Sequence, residues 1–167
     1  KNGIKVVANN YASSNVDMPT MPLDILSVFN NDNSVVVFDV GGDDDGALAL
    51  GQYKQYFDKY GYEMHFIVNT KRPLTRTNDE LIEIAERIES ASRLKFTDIY
   101  NNTNLSDQTD ETTLFSGYDE IKMLSKKMGI VIKKNCGIDK ALSNVPTNLK
   151  DTVFRMNICI LRPWEIQ

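Results

Sequence analysis

Val35-Val36-Val37-Phe38-Asp39-Val40-Gly41-Gly42-Asp43-Asp44-Asp45-Gly46 is an apolar, β-branched run that empties into an acidic, glycine-rich turn. In α/β proteins such a strand exit is a common place for a Mg²⁺-nucleotide site: a carboxylate there can hold the metal, and glycine lets a phosphate approach the backbone. Asp39-Val40-Gly41-Gly42 has the spacing D-x-x-G. Asp39 is thereby a candidate Mg²⁺ ligand, directly or through water, and Gly42 a candidate neighbour of a γ-phosphate. A plainer reading stands beside it, in which Asp43, Asp44 and Asp45 cap a helix starting near Gly46, each worth a few tenths to about 1 kcal/mol. The two are compatible, but carboxylates repel phosphate, so without Mg²⁺ or a lysine the turn alone is a poor anion site. No G-x-x-x-x-G-K-[ST] occurs in the chain, so these residues supply neither the phosphate-cradling loop nor its lysine.

Outward from this turn, apolar β-branched segments recur at 4–7, 35–40, 64–68, 96–100, 130–132 and 153–160, with helical patterns between them. Strand alternating with helix along the whole length predicts an α/β fold of three layers, a mostly parallel sheet flanked by helices. Several runs are apolar without alternation, as strands covered on both faces are. The clearest helix is 79–92, where Leu81, Ile84, Ala85 and Ile88 fall at i, i+3, i+4 and i+7. Asn78 is its expected N-cap, with Asp79 and Glu80 in the first turn. Helices are also expected over 47–60 and 118–128, closed by Gly61 and Gly129, and a short one over 22–29. Residues 30–34 read as a surface turn and 101–113 as a longer polar loop. With no internal repeat or low-complexity linker, the 167 residues suit a single domain.

The formal charge of −4, with scattered lysines and arginines, argues against an extended nucleic-acid surface. Cys136 and Cys159 have no C-x-x-C or Cys/His spacing, so two buried reduced cysteines are expected. No apolar stretch approaches a membrane span and no basic-then-apolar leader opens the chain, which predicts a cytoplasmic protein. The first residue is Lys1, and 4–7 enters as if in mid-fold, so the chain is expected to begin downstream of its natural start.

Ligands of open parallel sheets collect outside the carboxyl ends of the strands, and two further exits qualify. Val68-Asn69-Thr70-Lys71-Arg72-Pro73 is polar and basic: Lys71 and Arg72 can meet an anion, or the segment is a solvated turn stiffened by Pro73. Tyr100-Asn101-Asn102-Thr103-Asn104 carries consecutive amides. An amide both donates and accepts, which suits adenine N6 and its neighbouring ring nitrogen, although Asn-rich turns also form for backbone reasons. His65, the only histidine, has no Ser or Cys nucleophile motif beside it and reads as a packed or edge residue. Trp164, after Pro163, reads as packing at a sheet edge or as an exposed docking element.

Taken in order, DVGGDDDGALALGQY, VNTKRPLT, IAERIESASRLK, IYNNTNLSDQT and ILRPW make a chain that resembles the bacterial ParA/MinD-like P-loop ATPases of the CobQ/CobB/MinD/ParA nucleotide-binding class. The likeness is to a branch of small stand-alone ATP-binding proteins and spans essentially the whole chain, beginning after the family's P-loop strand and helix. It implies a P-loop NTPase-like fold truncated at its amino terminus, with ATP and Mg²⁺ as cofactors. Under the resemblance Asp39 takes the Walker B position at the Mg²⁺ shell, and Gly42 the switch-glycine position near the γ-phosphate that water attacks. Asn101 or Asn102 takes the strand-end position that binds adenine, and Asn69, Arg72 and Pro73 lie beside the nucleotide. Homodimerisation is the implied way for ATP to act as a switch.

The chain also departs from the family. Without a P-loop it is expected to bind nucleotide weakly and not to turn it over. It lacks a basic amphipathic carboxyl-terminal helix of the MinD type, which argues against membrane cycling, and a basic stripe, which argues against DNA binding. The rival from another class is a non-catalytic α/β interaction module, in which the acidic turn is only a helix start and the amide-rich loops meet an unidentified protein partner.

Overall fold

A computed structural model describes residues 3–7, 23–30 and 34–159. Positions 31–33 of the expected surface turn and the closing segment with Arg162, Pro163 and Trp164 lie outside the described residues. The helices are α1 (Asp44–Gly51), α2 (Lys54–Tyr60), α3 (Asn78–Ser92), α4 (Glu111–Phe115) and α5 (Tyr118–Met128); the strands are β1 (His65–Val68), β2 (Asp98–Asn101), β3 (Val131–Gly137) and β4 (Val153–Arg155). Two compact units divide the chain, Lys1–Tyr62 with Arg87–Leu94 and Glu63–Glu86 with Lys95–Gln167.

The second unit holds a four-stranded, all-parallel sheet in the order β1-β2-β3-β4, as an α/β chain should. Parallel neighbours need long crossovers. Thus α3 lies between β1 and β2, α4 and α5 between β2 and β3, and the 3₁₀ turns Asp139–Leu142 and Thr147–Thr152 between β3 and β4. Ile121 and Leu124 of α5 are fully buried, as are Leu81, Ala85, Ile99 and Leu114, and α5 packs on β2 and β3. Phe66 stacks on Phe96 with ring centroids 4.7 Å apart. β1 alternates, with Phe66 and Val68 buried but His65 and Ile67 exposed, rather than being covered on both faces. β3 is longer than the expected 130–132 and contains a bulge: Ile99 pairs with Ile132 but Tyr100 with Lys134, leaving Lys133 as the extra residue. The expected loop 101–113 begins inside β2 and includes the 3₁₀ turn Ser106–Gln108 and the start of α4.

Helix termini follow the local chemistry closely. α5 ends at Gly129, whose φ of 70° suits glycine and whose N–H donates to Ser125 O at 2.9 Å. α3 is capped one residue earlier than expected: Thr77 Oγ1 accepts from Glu80 N at 3.3 Å, and Glu80 Oε2 accepts from Thr77 N at 3.0 Å. This reciprocal pair is a capping box. Asn78 instead lies within the helix and donates from N and Nδ2 to Glu120 Oε2 and O, at 2.7 and 3.2 Å. The backbone bonds from Thr77 and Arg76 hold the Glu80 carboxyl below its ordinary value. The folded chain therefore binds that proton less tightly than the unfolded chain. The contribution is complete above the unfolded value, near pH 4.3, and is lost as pH falls through the lower folded value. Thr77→Ala is expected to cost about 1 kcal/mol in urea melts, and Glu80→Gln to flatten the acid limb of stability measured below about pH 5.

In the first unit, Asp43 Oδ1 accepts from Gly46 N at 2.9 Å and starts α1. The helix expected over 47–60 is split between α1 and α2, and the short helix near 22–29 is the 3₁₀ helix Leu23–Asn30. Phe29 gathers aromatic rings: its centroid lies 4.9 Å from Tyr56, 5.4 Å from Phe57 and 5.9 Å from Phe38. The expected strands at 4–7 and 35–40 form no ladder among the described residues, and Val35 and Val37 are 94% and 84% exposed. An apolar β-branched run supplies propensity, but a strand needs a neighbouring chain for its N–H and C=O groups.

Candidate functional site

The carboxyl edge of the parallel sheet gathers the amides and hydroxyls that follow β1 and β2. Val68 and Asn101 are register partners, and Asn102 N donates to Val68 O at 2.8 Å, so the two exits leave side by side. Asn69 locks them together: Nδ2 donates to Asn104 O at 3.2 Å, and Oδ1 accepts from Asn104 N and Lys71 N at 3.2 and 3.0 Å. Beneath this, buried Thr70 and Thr103 bond through their hydroxyls at 3.2 Å, and Thr70 N donates to Thr103 Oγ1 at 3.2 Å.

Asn101 and Asn102, equivalent in the sequence, have different partners. Asn101 is fully buried; its Nδ2 donates to Leu114 O at 3.1 Å and Asn135 Oδ1 at 3.0 Å, and its Oδ1 accepts from Thr103 N at 3.1 Å. Asn135 passes the chain on to Thr152 Oγ1 at 2.8 Å, which donates to Leu149 O at 2.7 Å. The bulge at Lys133 makes this possible, because it sets Asn135 rather than Lys134 opposite Asn101. Both donors of Asn101 are spent on architecture. Asn102 Oδ1, by contrast, is the sole buried side-chain nitrogen or oxygen without a hydrogen-bond partner among the described residues. An orphaned buried acceptor costs about 1–3 kcal/mol, a cost that a donor from a water or a ligand would offset.

Beside these exits Thr70, Lys71, Arg76, Ser116, Gly117 and Glu120 line an open cleft of about 380 Å³. Its loop is wound on Asn69, whose carbonyl accepts from Arg72 N at 3.1 Å and Thr75 Oγ1 at 2.7 Å. Lys71, Arg72 and Pro73 are exposed on that loop. Ser116 Oγ donates to Thr113 O at 2.9 Å, and Glu120 is held by Asn78, so the cleft offers cations and polar walls for binding without a paired nucleophile and base.

Asp39 and Gly42 belong to the first unit, where both are exposed. Asp39 lies in the stretch 35–40 that forms no ladder among the described residues, and a Cβ on Gly42 would meet nothing within 4 Å. Cys136 is buried, which pushes its thiol up to about 11; Cys159 is exposed, contrary to the expectation of two buried cysteines, and both are free. No local pattern marks Thr70, Thr103, Arg76, Ser116 and Gly117 as neighbours, because only the strand register and the packing of α5 bring them together. No protein-family model matches the chain, and neither a curated protein nor a solved structure shows a significant match to it.

Proposed function

We propose that this chain carries the base-binding portion of an ATP-dependent switch of the ParA/MinD-like class, with a P-loop NTPase-like fold, working in the cytoplasm. The observation behind this reading is the unpartnered Asn102 Oδ1 at the carboxyl edge of a parallel sheet. Adenine presents an N6 amino donor to such an acceptor, whereas guanine presents the acceptor O6. Asn102 is then the adenine contact and Asn101 its support, with Asn69 shaping the exits and Arg72 and Pro73 flanking the nucleotide. Asp39 and Gly42, in the first unit, keep the Mg²⁺ and γ-phosphate roles that the resemblance implies. Phosphate cradling requires a P-loop that these residues do not include, so the chain alone does not hydrolyse ATP, and dimerisation is the output of the complete switch. No helix among the described residues is long and apolar enough to cross a membrane.

Saturation-transfer NMR with adenosine, ATP and guanosine tests it. The expected result is transfer to the adenine protons and roughly tenfold weaker binding of guanosine, the value of about one hydrogen bond. Asn102→Ala should weaken adenosine to a similar degree while leaving the fold intact, since Oδ1 has no bond to lose. Equal binding of both nucleosides, indifference to Asn102→Ala, or ATP turnover by this chain would sink the proposal. The interaction-module reading is favoured by one observation, the exposure of Val35 and Val37 on a stretch that forms no ladder among the described residues. It predicts that no nucleoside binds and that charged substitutions at those two valines abolish partner capture.

A further inference from the structure

At the opposite, amino edge of the same sheet, β1 and β2 open on the register partners His65 and Asp98. His65 Nδ1 lies 2.5 Å from Asp98 Oδ1, and Nε2 lies 3.6 Å from Glu63 Oε2. Asp98 is only 4% exposed, and its second oxygen accepts from Thr97 Oγ1 at 3.1 Å and Lys133 Nζ at 3.2 Å. Lys133 also reaches Glu63 at 2.9 Å. It is the bulge residue of β3, and a bulge re-aims the side chain it carries. Tyr100 packs against the imidazole with ring centroids 4.8 Å apart.

We infer that Glu63, His65 and Asp98 form a binding site for a divalent transition-metal ion of the Zn²⁺ type. One ligand atom from each lies within 4.8 Å of the others, a spread that small side-chain rotations close. An imidazole with two carboxylates suits Zn²⁺, whereas Mg²⁺ and Ca²⁺ prefer all-oxygen shells. The hydrogen-bond pattern points the same way. The imidazole meets a carboxylate at each nitrogen, Asp98 Oδ1 at Nδ1 and Glu63 Oε2 3.6 Å from Nε2, so a metal bound to either nitrogen has a carboxylate oxygen beside it. Lys133 bonds the two carboxylates and so competes for them with the metal. Its side chain is 37% exposed, which leaves it a way to swing out when metal enters.

The rival explanation is a metal-free ion cluster of protonated His65, two carboxylates and Lys133. Because His65 is the only histidine, its ring nitrogen resonances in a long-range ¹H–¹⁵N spectrum report on the site without ambiguity. The full chain carrying Cys159→Ser, which removes the exposed thiol as a competing ligand, is titrated with ZnCl₂. One equivalent should shift the ring nitrogens in slow exchange, and MgCl₂ should leave them in place. His65→Gln and Asp98→Asn should each weaken calorimetric Zn²⁺ binding by about tenfold or more. Lys133→Met should tighten it several-fold, a gain that no folding defect can produce. Ring resonances indifferent to millimolar Zn²⁺, equal affinity in His65→Gln, or no gain in Lys133→Met would each overturn the assignment in favour of the ion cluster.

Discussion

Asn101→Ala is expected to lower unfolding stability by about 3–5 kcal/mol, a large fraction of the 5–15 kcal/mol typical of a folded domain. The change removes three hydrogen bonds made at zero exposure and strands Leu114 O, Asn135 Oδ1 and Thr103 N in a dry interior. Asn101→Asp should be at least as damaging although it is nearly isosteric. It replaces the donating NH₂ with an acceptor that faces two acceptors, and it buries a carboxyl without a cation. Urea denaturation followed by circular dichroism measures both. Because Asn135 shares the network, Asn135→Ala added to Asn101→Ala should cost clearly less than the sum of the single changes. A loss below about 1 kcal/mol for Asn101→Ala would mean that these bonds are not the fastening of β2 to β3.

Gly117→Ala is the second large effect, expected at about 3 kcal/mol from overpacking. A methyl there would lie 2.6 Å from both Cβ and Cγ2 of Thr70 and closer still to its hydroxyl. Thr70 cannot retreat easily, since its backbone and hydroxyl are both bonded to Thr103. The backbone at Gly117, with φ −113° and ψ 20°, is open to any residue, so the glycine is required for space rather than for conformation. Thr70→Gly should therefore recover part of the loss in the double variant, which a conformational cause would not allow. Gly42→Ala makes the matched control: nothing lies within 4 Å of its Cβ, and its stability should stay within about 0.5 kcal/mol of the parent. If Gly42 serves a γ-phosphate, that same change leaves the fold intact and disturbs only the complete nucleotide switch.

Local patterns carried a good part of the fold. The i, i+3, i+4, i+7 stripe of α3, the glycine stop of α5 and the β-branched runs at 64–68 and 96–100 correspond to observed elements, because capping, periodicity and branching act within one turn or one strand. The run at 35–40 shows where such reasoning ends. It has as much strand propensity as β1 or more, yet it makes no ladder among the described residues. Propensity is a property of a segment; pairing is a property of two.

The candidate site divides in the same way. Composition and order marked the amides after β1 and β2 as the polar edge of a parallel sheet, and they lie there. What the sequence could not do was distinguish Asn101 from Asn102. Part of their difference arises from a bulge in β3, about thirty residues away, that brings Asn135 opposite Asn101, while Asn102 Oδ1 has no partner. The same bulge turns Lys133 toward Asp98 and Glu63 at the far edge, where His65 meets a carboxylate from the neighbouring strand. The sequence by itself determined an α/β chain, the termini of its well-capped helices and the polar character of its strand exits, because these depend on contacts between near neighbours. Register, the Asn101–Asn135 network, the fit of Gly117 on Thr70 and the His65 cluster were decided only by the tertiary structure, since each is a contact between residues far apart in the chain whose distance no local pattern encodes.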